Sequence, residues 1–388
     1  MYLPATFHYG YEAAAYPQKF DIQHGSGFVL DTVNNKIVTK FTSGVALLQV
    51  PFYLVGAFIA ETFSIDEQPY SRFYLIFMDI GLAFYCTMGL FFFKKWIEYY
   101  TSSRTGFIAM LVIFFSTHLY YYTLDENLMS HAYSFALMSG SLYAMKSWMN
   151  TNKQKYFVMF VSMVAVATLI RPTNILFGLI GFFLDVKSWQ EGIAKFKSIF
   201  MFRNVVISAL VFLLIFLPQL MYWKFAYGNF IVWSYSNEGF ENWNDPWFLS
   251  VWFSPQSGLF PYTPILIVAL VLAVYGMYRK KSNAFLVLIT FMLVSYMCAA
   301  WINPFFGSCN FGKRPFVEYL PILMLPIAWA IHGISRRSKR LQWGFYSMLL
   351  LFAYYNIGLF GAFDTCFIGT TWDWSAFNQL LYKGCLSF

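Results

Sequence analysis

Apolar runs long enough to cross a bilayer alternate along this chain with short polar gaps, and the basic residues crowd into every second gap. The gaps around Lys94–Arg104, Lys146–Lys155, Lys187–Arg203, Arg279–Lys281 and Arg336–Arg340 hold 17 of the 26 basic residues, with only Glu98, Asp185 and Glu191 as acids. Positive charge is retained on the cytoplasmic side during insertion, so these gaps are expected inside. The gaps rich in Asp, Glu, Trp and Tyr are then outside, and the chemistry should lie there. A hydrophobic fraction of 59% against 11% charge excludes an ordinary soluble domain. The basic excess sits in short loops between spans, which argues against a nucleic-acid partner and for membrane lipid. The expected fold class is an all-α polytopic membrane protein.

Ten apolar segments fit the alternation: 71–98, 104–123, 131–150, 157–170, 173–186, 204–222, 260–278, 283–301, 316–334 and 342–362. An eleventh, 43–63, breaks the parity. If 43–63 spans, residues 1–42 are cytoplasmic; if it is re-entrant or interfacial, the favoured case, they are outside and an exporting helix upstream is required. The expected organisation is an extracytoplasmic loop over 1–42, a transmembrane domain over 43–362 with a long outer loop at 223–261, and an extracytoplasmic tail over 363–388. Within 156–186, Arg171-Pro172 divides a stretch too long for one span and too short for two. Proline ends the incoming helix, so Arg171 is expected at a hairpin tip sunk below the outer surface. A charge at that depth costs about 2.5–3.5 kcal/mol unless it is paired or wetted.

Several polar clusters punctuate the outer gaps. Asp125-Glu126-Asn127-Leu128-Met129-Ser130-His131 opens an inward helix, where Asp125 or a neighbour can cap and the N-terminus favours an anion. Against a simple capping box stands the general rule that ionisable groups at membrane depth are functional. Arg171-Pro172-Thr173-Asn174 offers a fixed guanidinium suited to phosphate. Asn310-Phe311-Gly312-Lys313-Arg314, followed by Glu318, places two cations beside a glycine that admits close backbone approach. Ser257-Gly258-Leu259-Phe260 leads to Thr263-Pro264, and Lys40 lies in the N-terminal loop with Glu12, Asp21, His24 and Asp31, most of them read as solvated charge. No second histidine stands at ligand spacing from His131, so no metal site is expected, although a divalent cation is not excluded. Cys309, Cys366 and Cys385 would face an oxidising compartment, where a disulfide among them could form.

In their order, Tyr2–Ala5, Lys40–Gly44 before Pro51-Phe52, Glu126 with Ser130-His131, Arg171–Asn174, Ser257–Pro264 and Asn310–Glu318 resemble bacterial GT-C-type membrane glycosyltransferases. The similar branch is that of protein O-mannosyltransferases and the lipid A aminoarabinose transferase. The resemblance implies a GT-C-like helical bundle in the bacterial plasma membrane. It implies transfer of a sugar, with inversion, from a polyprenyl-phosphate donor to a lipid, glycan or protein acceptor on the extracytoplasmic face. It assigns Glu126, Asp125 and His131 to catalysis, and Arg171, Lys313, Arg314, Lys40, Ser130, Asn174 and Glu318 to substrate binding. Related sequences carry a helix and an acidic residue upstream of the Tyr-Leu-Pro element, a position with no match here, and Lys313 stands where a neutral polar residue is expected. Two other classes compete: a transporter or flippase using Arg171 and Asp79 in a translocation path, and a truncated, non-catalytic relative.

Overall fold

The computed structural model describes residues 1–16, 28–65, 68–69, 71–125, 129–234, 238–303, 305, 310–363 and 366–386. Short helical turns over Tyr2–Pro4, Ala5–Tyr9 and Ala13–Ala15 open the chain, and a two-stranded antiparallel hairpin, β1 (Val29–Asp31) and β2 (Lys36–Val38), precedes the longer helices. These are α1 (Gly44–Thr62), α2 (Arg72–Glu98), α3 (Ser103–Phe115), α4 (Leu119–Leu124), α5 (His131–Thr151), α6 (Gln154–Ile170), α7 (Leu176–Phe183), α8 (Trp189–Ile199) and α9 (Phe202–Tyr227). Next come α10 (Phe248–Phe253), α11 (Leu259–Tyr262), α12 (Ile265–Tyr278), α13 (Ala284–Ala300), α14 (Leu320–Leu323), α15 (Leu325–Ile334), α16 (Lys339–Ala362) and α17 (Trp374–Leu381). The protein is all-α and polytopic. Among the described residues four helices, α1, α2, α9 and α16, are long and apolar enough to cross a membrane, and five shorter apolar helices accompany them.

Three expected continuous segments are broken. The run 104–123 splits at His118 into α3 and α4, and Thr263-Pro264 separates α11 from α12. The run 316–334 opens with a 3-10 turn, Arg314–Tyr319, and bends by 42°. In each case the break falls beside residues of the polar clusters. The loop expected over 223–261 begins later, because α9 runs on to Tyr227.

The core is built around α5, which is buried without interruption from His131 to Leu142. Its small residues let neighbours approach closely. Gly89 of α2 lies against Ala136, Gly140 against Met163 of α6, and Gly181 and Gly178 of α7 against Phe160 and Val164. Tyr99, just after α2, also meets Ser147 at 2.9 Å. These pairings make α2 and α5 parallel, and α5, α6 and α7 successively antiparallel. The outward face of α9 is apolar and only 11% of its apolar window is buried. Such a face is expected against lipid.

The basic gaps meet at one end of the bundle. Asp185, after α7, accepts hydrogen bonds from Lys146 (2.6 Å), Tyr100 (2.8 Å), Ser282 (2.5 Å) and Asn283 (2.8 Å). His332, before the Arg336–Arg340 gap, lies 3.5 Å from Thr105. At the opposite end the N-terminal segment packs on α9, with Tyr222 donating to Ile37 (3.0 Å), while Ser254 donates to Thr371 (2.6 Å) beside the C-terminal segment. Cys366 is disulfide-bonded, whereas Cys86, Cys298 and Cys385 are free thiols. Cys309 lies outside the described residues.

Candidate functional site

Proline 172 sets the geometry of the site. Its ring disfavours helix at the preceding residue, and α6 duly stops at Ile170, leaving Arg171 extended (φ −147°, ψ 123°) before a 3-10 turn over Pro172–Ile175. The Lys40–Gly44 segment docks on this corner. Thr42 donates to the Ile170 carbonyl at 3.1 Å, meeting one of the acceptors that a helix end leaves free. A Cβ on Gly44 would stand 2.5 Å from the Ile170 nitrogen, so only glycine permits the approach. The corner also lies below one end of the bundle. Taking Gly89 level with Ala136, α2 extends about 18 Å past His131 on the side away from the basic gaps.

Arg171 reaches the start of α5. Its Nε donates to Ser130 Oγ at 3.0 Å, Nη2 to His131 Nε2 at 3.2 Å, and Nη1 lies 3.4 Å from Glu318 Oε1. Arginine has no acceptor, so His131 Nε2 must accept, and the ring proton resides on Nδ1. That proton is donated to Glu318 Oε1 at 3.0 Å. The imidazole is thereby fixed as one neutral tautomer between a carboxylate and a guanidinium. Glu318 is 1% exposed and His131 fully buried, whereas the Arg171 side chain is 27% exposed. Asn174, also buried, donates to Ser134 (3.1 Å) and accepts from Tyr319 (3.4 Å).

A second set of loops closes on the same spot. Gly312 adopts φ +68°, and a Cβ there would meet Tyr262 at 2.8 Å, so glycine is required on both counts. The turn carries Lys313 inward, 1% exposed, with Nζ 3.3 Å from Ser257 Oγ and 5.7 Å from the Phe305 ring centre. Arg314 Nη1 lies 3.4 Å from Met129 Sδ, next to Ser130. Among the described residues Arg171 pairs with Glu318, and Arg314 lies close enough to act on both Glu318 and Lys313. Fixed guanidinium and ammonium groups in low dielectric suit an anionic ligand.

The remaining expected residues fall elsewhere. Asp125 does not cap α5. It is exposed at the C-terminal end of α4, and α5 begins only at His131 with Ser130 before it. Lys40 pairs with Glu238 at 2.7 Å, both partly exposed, near the docked segment. Glu126, like Asp21 and His24, lies outside the described residues. His118 was not singled out from the sequence, yet it is fully buried with Nδ1 2.6 Å from Thr263 Oγ1, tying the second set of loops to the break between α3 and α4. The signal was present: an ionisable residue inside an apolar run.

The model of the Alg9-like mannosyltransferase family matches residues 45–242, half of the chain. The matched stretch contains Ser130, His131, Arg171 and Asn174 and ends before Lys313–Glu318. No curated protein and no solved structure matches the chain.

Proposed function

The chain belongs to the Alg9-like mannosyltransferase family, a family of membrane glycosyltransferases acting on lipid-linked sugars, and from that premise we propose a specific reaction. The protein moves a mannosyl unit from a polyprenyl-phosphate carrier to a hydroxyl of a lipid, glycan or protein acceptor. The reaction takes place on the extracytoplasmic face of a bacterial plasma membrane. One observation carries this reading: three motifs distant in sequence, Ser130-His131, Arg171–Asn174 and Lys313–Glu318, meet in one buried, cation-rich cluster at the end of the bundle away from the basic gaps.

In the proposed step the acceptor oxygen attacks the anomeric carbon opposite the phosphate, which inverts that centre. The bond from the anomeric carbon to the phosphate oxygen breaks, and its electron pair stays with the phosphate. Arg171, Arg314 and Lys313 stabilise the charge that develops there, a contribution that preorganised groups make in low dielectric. Asn174 and Ser130 hold the Arg171 corner in place. The acceptor proton goes to His131 Nε2, which becomes free once Arg171 turns to the phosphate, and Glu318 stabilises the resulting imidazolium. Membranes containing the protein should transfer labelled mannose from polyprenyl-phosphate mannose to endogenous acceptor. Flux of a labelled lipid across proteoliposomes with no sugar transfer would replace this reading with a transporter.

A further inference from the structure

Helix α8 crosses the basic end of the bundle and has no buried residue. Trp189, Ile193, Phe196 and Phe200 recur at helical spacing and share a stripe about 60° wide. All four are exposed, Trp189 by 81%. The helix cannot roll to hide them. Its other side is latched to the end of α7, where Lys195 Nζ donates to the carbonyls of Gly181 (2.9 Å) and Leu184 (2.7 Å). Ser188 caps its first turn and Glu191 accepts from the Lys187 nitrogen at 2.9 Å.

Two further observations say what covers the stripe. It is continuous with the apolar outside of the bundle: Phe196 lies 6.1 Å from Phe182 of α7, and Phe183, Phe202, Val205 and Val206 extend the exposed surface. Lys187, Lys197 and Arg203 flank it, exposed, with Lys153 and Lys155 of the neighbouring gap. Length sets its depth. The 3-10 turn Pro172–Ile175 and α7 together rise only about 20 Å, less than a hydrocarbon core of about 30 Å. The helix joined to that short strut is held at the level where amphipathic helices bury an apolar face about 5–10 Å deep.

We propose that α8 is an interfacial helix, its Trp189–Phe200 stripe among the acyl chains of the leaflet at the basic end and its lysines on anionic lipid headgroups. This anchoring is separate from the transfer reaction and holds the inner end of the hairpin whose tip is Arg171. The test uses the full chain in vesicles of phosphatidylcholine with phosphatidylglycerol, lacking the half-exposed free thiol through Cys385→Ser. A fluorophore is placed at Ile193→Cys on the stripe or at Gln190→Cys on the adjoining polar face. Spin-labelled lipid should quench the first and iodide the second. Spin-labelled phosphatidylglycerol should quench the first more than spin-labelled phosphatidylcholine, with a preference of about fivefold for each lysine. Lys187→Glu with Lys197→Glu should lower that preference steeply, and the milder Lys187→Gln with Lys197→Gln should lower it less. Iodide reaching both positions alike would overturn the proposal. So would protection of the stripe from both quenchers, which would mean a protein partner or second copy covers it. Equal quenching by the two lipids would overturn the headgroup assignment.

Discussion

Replacing Arg171 with alanine separates what the cluster does for the fold from what it does for the reaction. The change removes the bond to Ser130, the bond to His131 Nε2 and the ion pair at 3.4 Å with Glu318. Glu318, 1% exposed, then keeps the N–H of a neutral imidazole, the neighbouring Asn174 and the more distant charge of Arg314. Removing one partner of a buried ion pair costs about 3–5 kcal/mol, because a charge is stranded in low dielectric. Water reaches 27% of the Arg171 side chain, so the lower end, about 3 kcal/mol, is expected. The double change Arg171→Ala with Glu318→Gln removes the stranded charge and should recover most of that loss. Transfer should not recover. Loss of one preorganised donor lowers turnover by about 10²–10³, and the double variant should be at least as slow. Thermal unfolding in detergent gives the stability, and turnover of polyprenyl-phosphate mannose gives the rate. A double variant no more stable than Arg171→Ala would refute the charge argument, and a fully active Arg171→Ala would remove the guanidinium from the reaction.

Gly44→Ala should weaken the fold by about 1–3 kcal/mol, since the new methyl meets the Ile170 backbone; a melting temperature within error of the parent would count against that contact. Lys313→Met should raise the KM for donor, as steady-state rates over a donor titration would reveal. Asp185→Asn should destabilise the basic end without altering the KM for donor, because its partners Lys146, Tyr100, Ser282 and Asn283 are remote from the cluster. Burial lowers the Lys195 ammonium from 10.5 to about 7, opposed by Asp185 and reinforced by Lys146, with Glu191 on the same helix. The unfolded chain then holds more protons between pH 7 and 10.5, and stability rises with pH across that window. Lys195→Met should flatten that part of the stability–pH curve.

Helix order and the two-ended charge distribution were legible in the sequence because both follow from local rules: apolar length, charge retention and the effect of Pro172 on Arg171. The break at Thr263 follows from Pro264 behind it, whereas the break at His118 was not legible, since it is set by packing between loops far apart in sequence. The same holds for the start of α5. A cap at Asp125 is reasonable by propensity, yet α4 takes that residue for its own end. Within the site, residue types suggested an anion clamp, but the tautomer of His131 follows only from knowing that Arg171 and Glu318 lie on its two sides. Lys40 shows the converse limit: a cation in the right loop whose side chain turns to Glu238.

The location of the donor phosphate tests the account most directly. Cryo-electron microscopy of the protein in nanodiscs with a phosphonate analogue of polyprenyl-phosphate mannose would place that group. The account predicts its oxygens at charge-assisted hydrogen-bond distance, about 2.7–2.9 Å, from the Arg171 guanidinium, with Lys313 or Arg314 on the other side. A phosphonate bound at the basic end, or anywhere out of reach of Arg171, would contradict it.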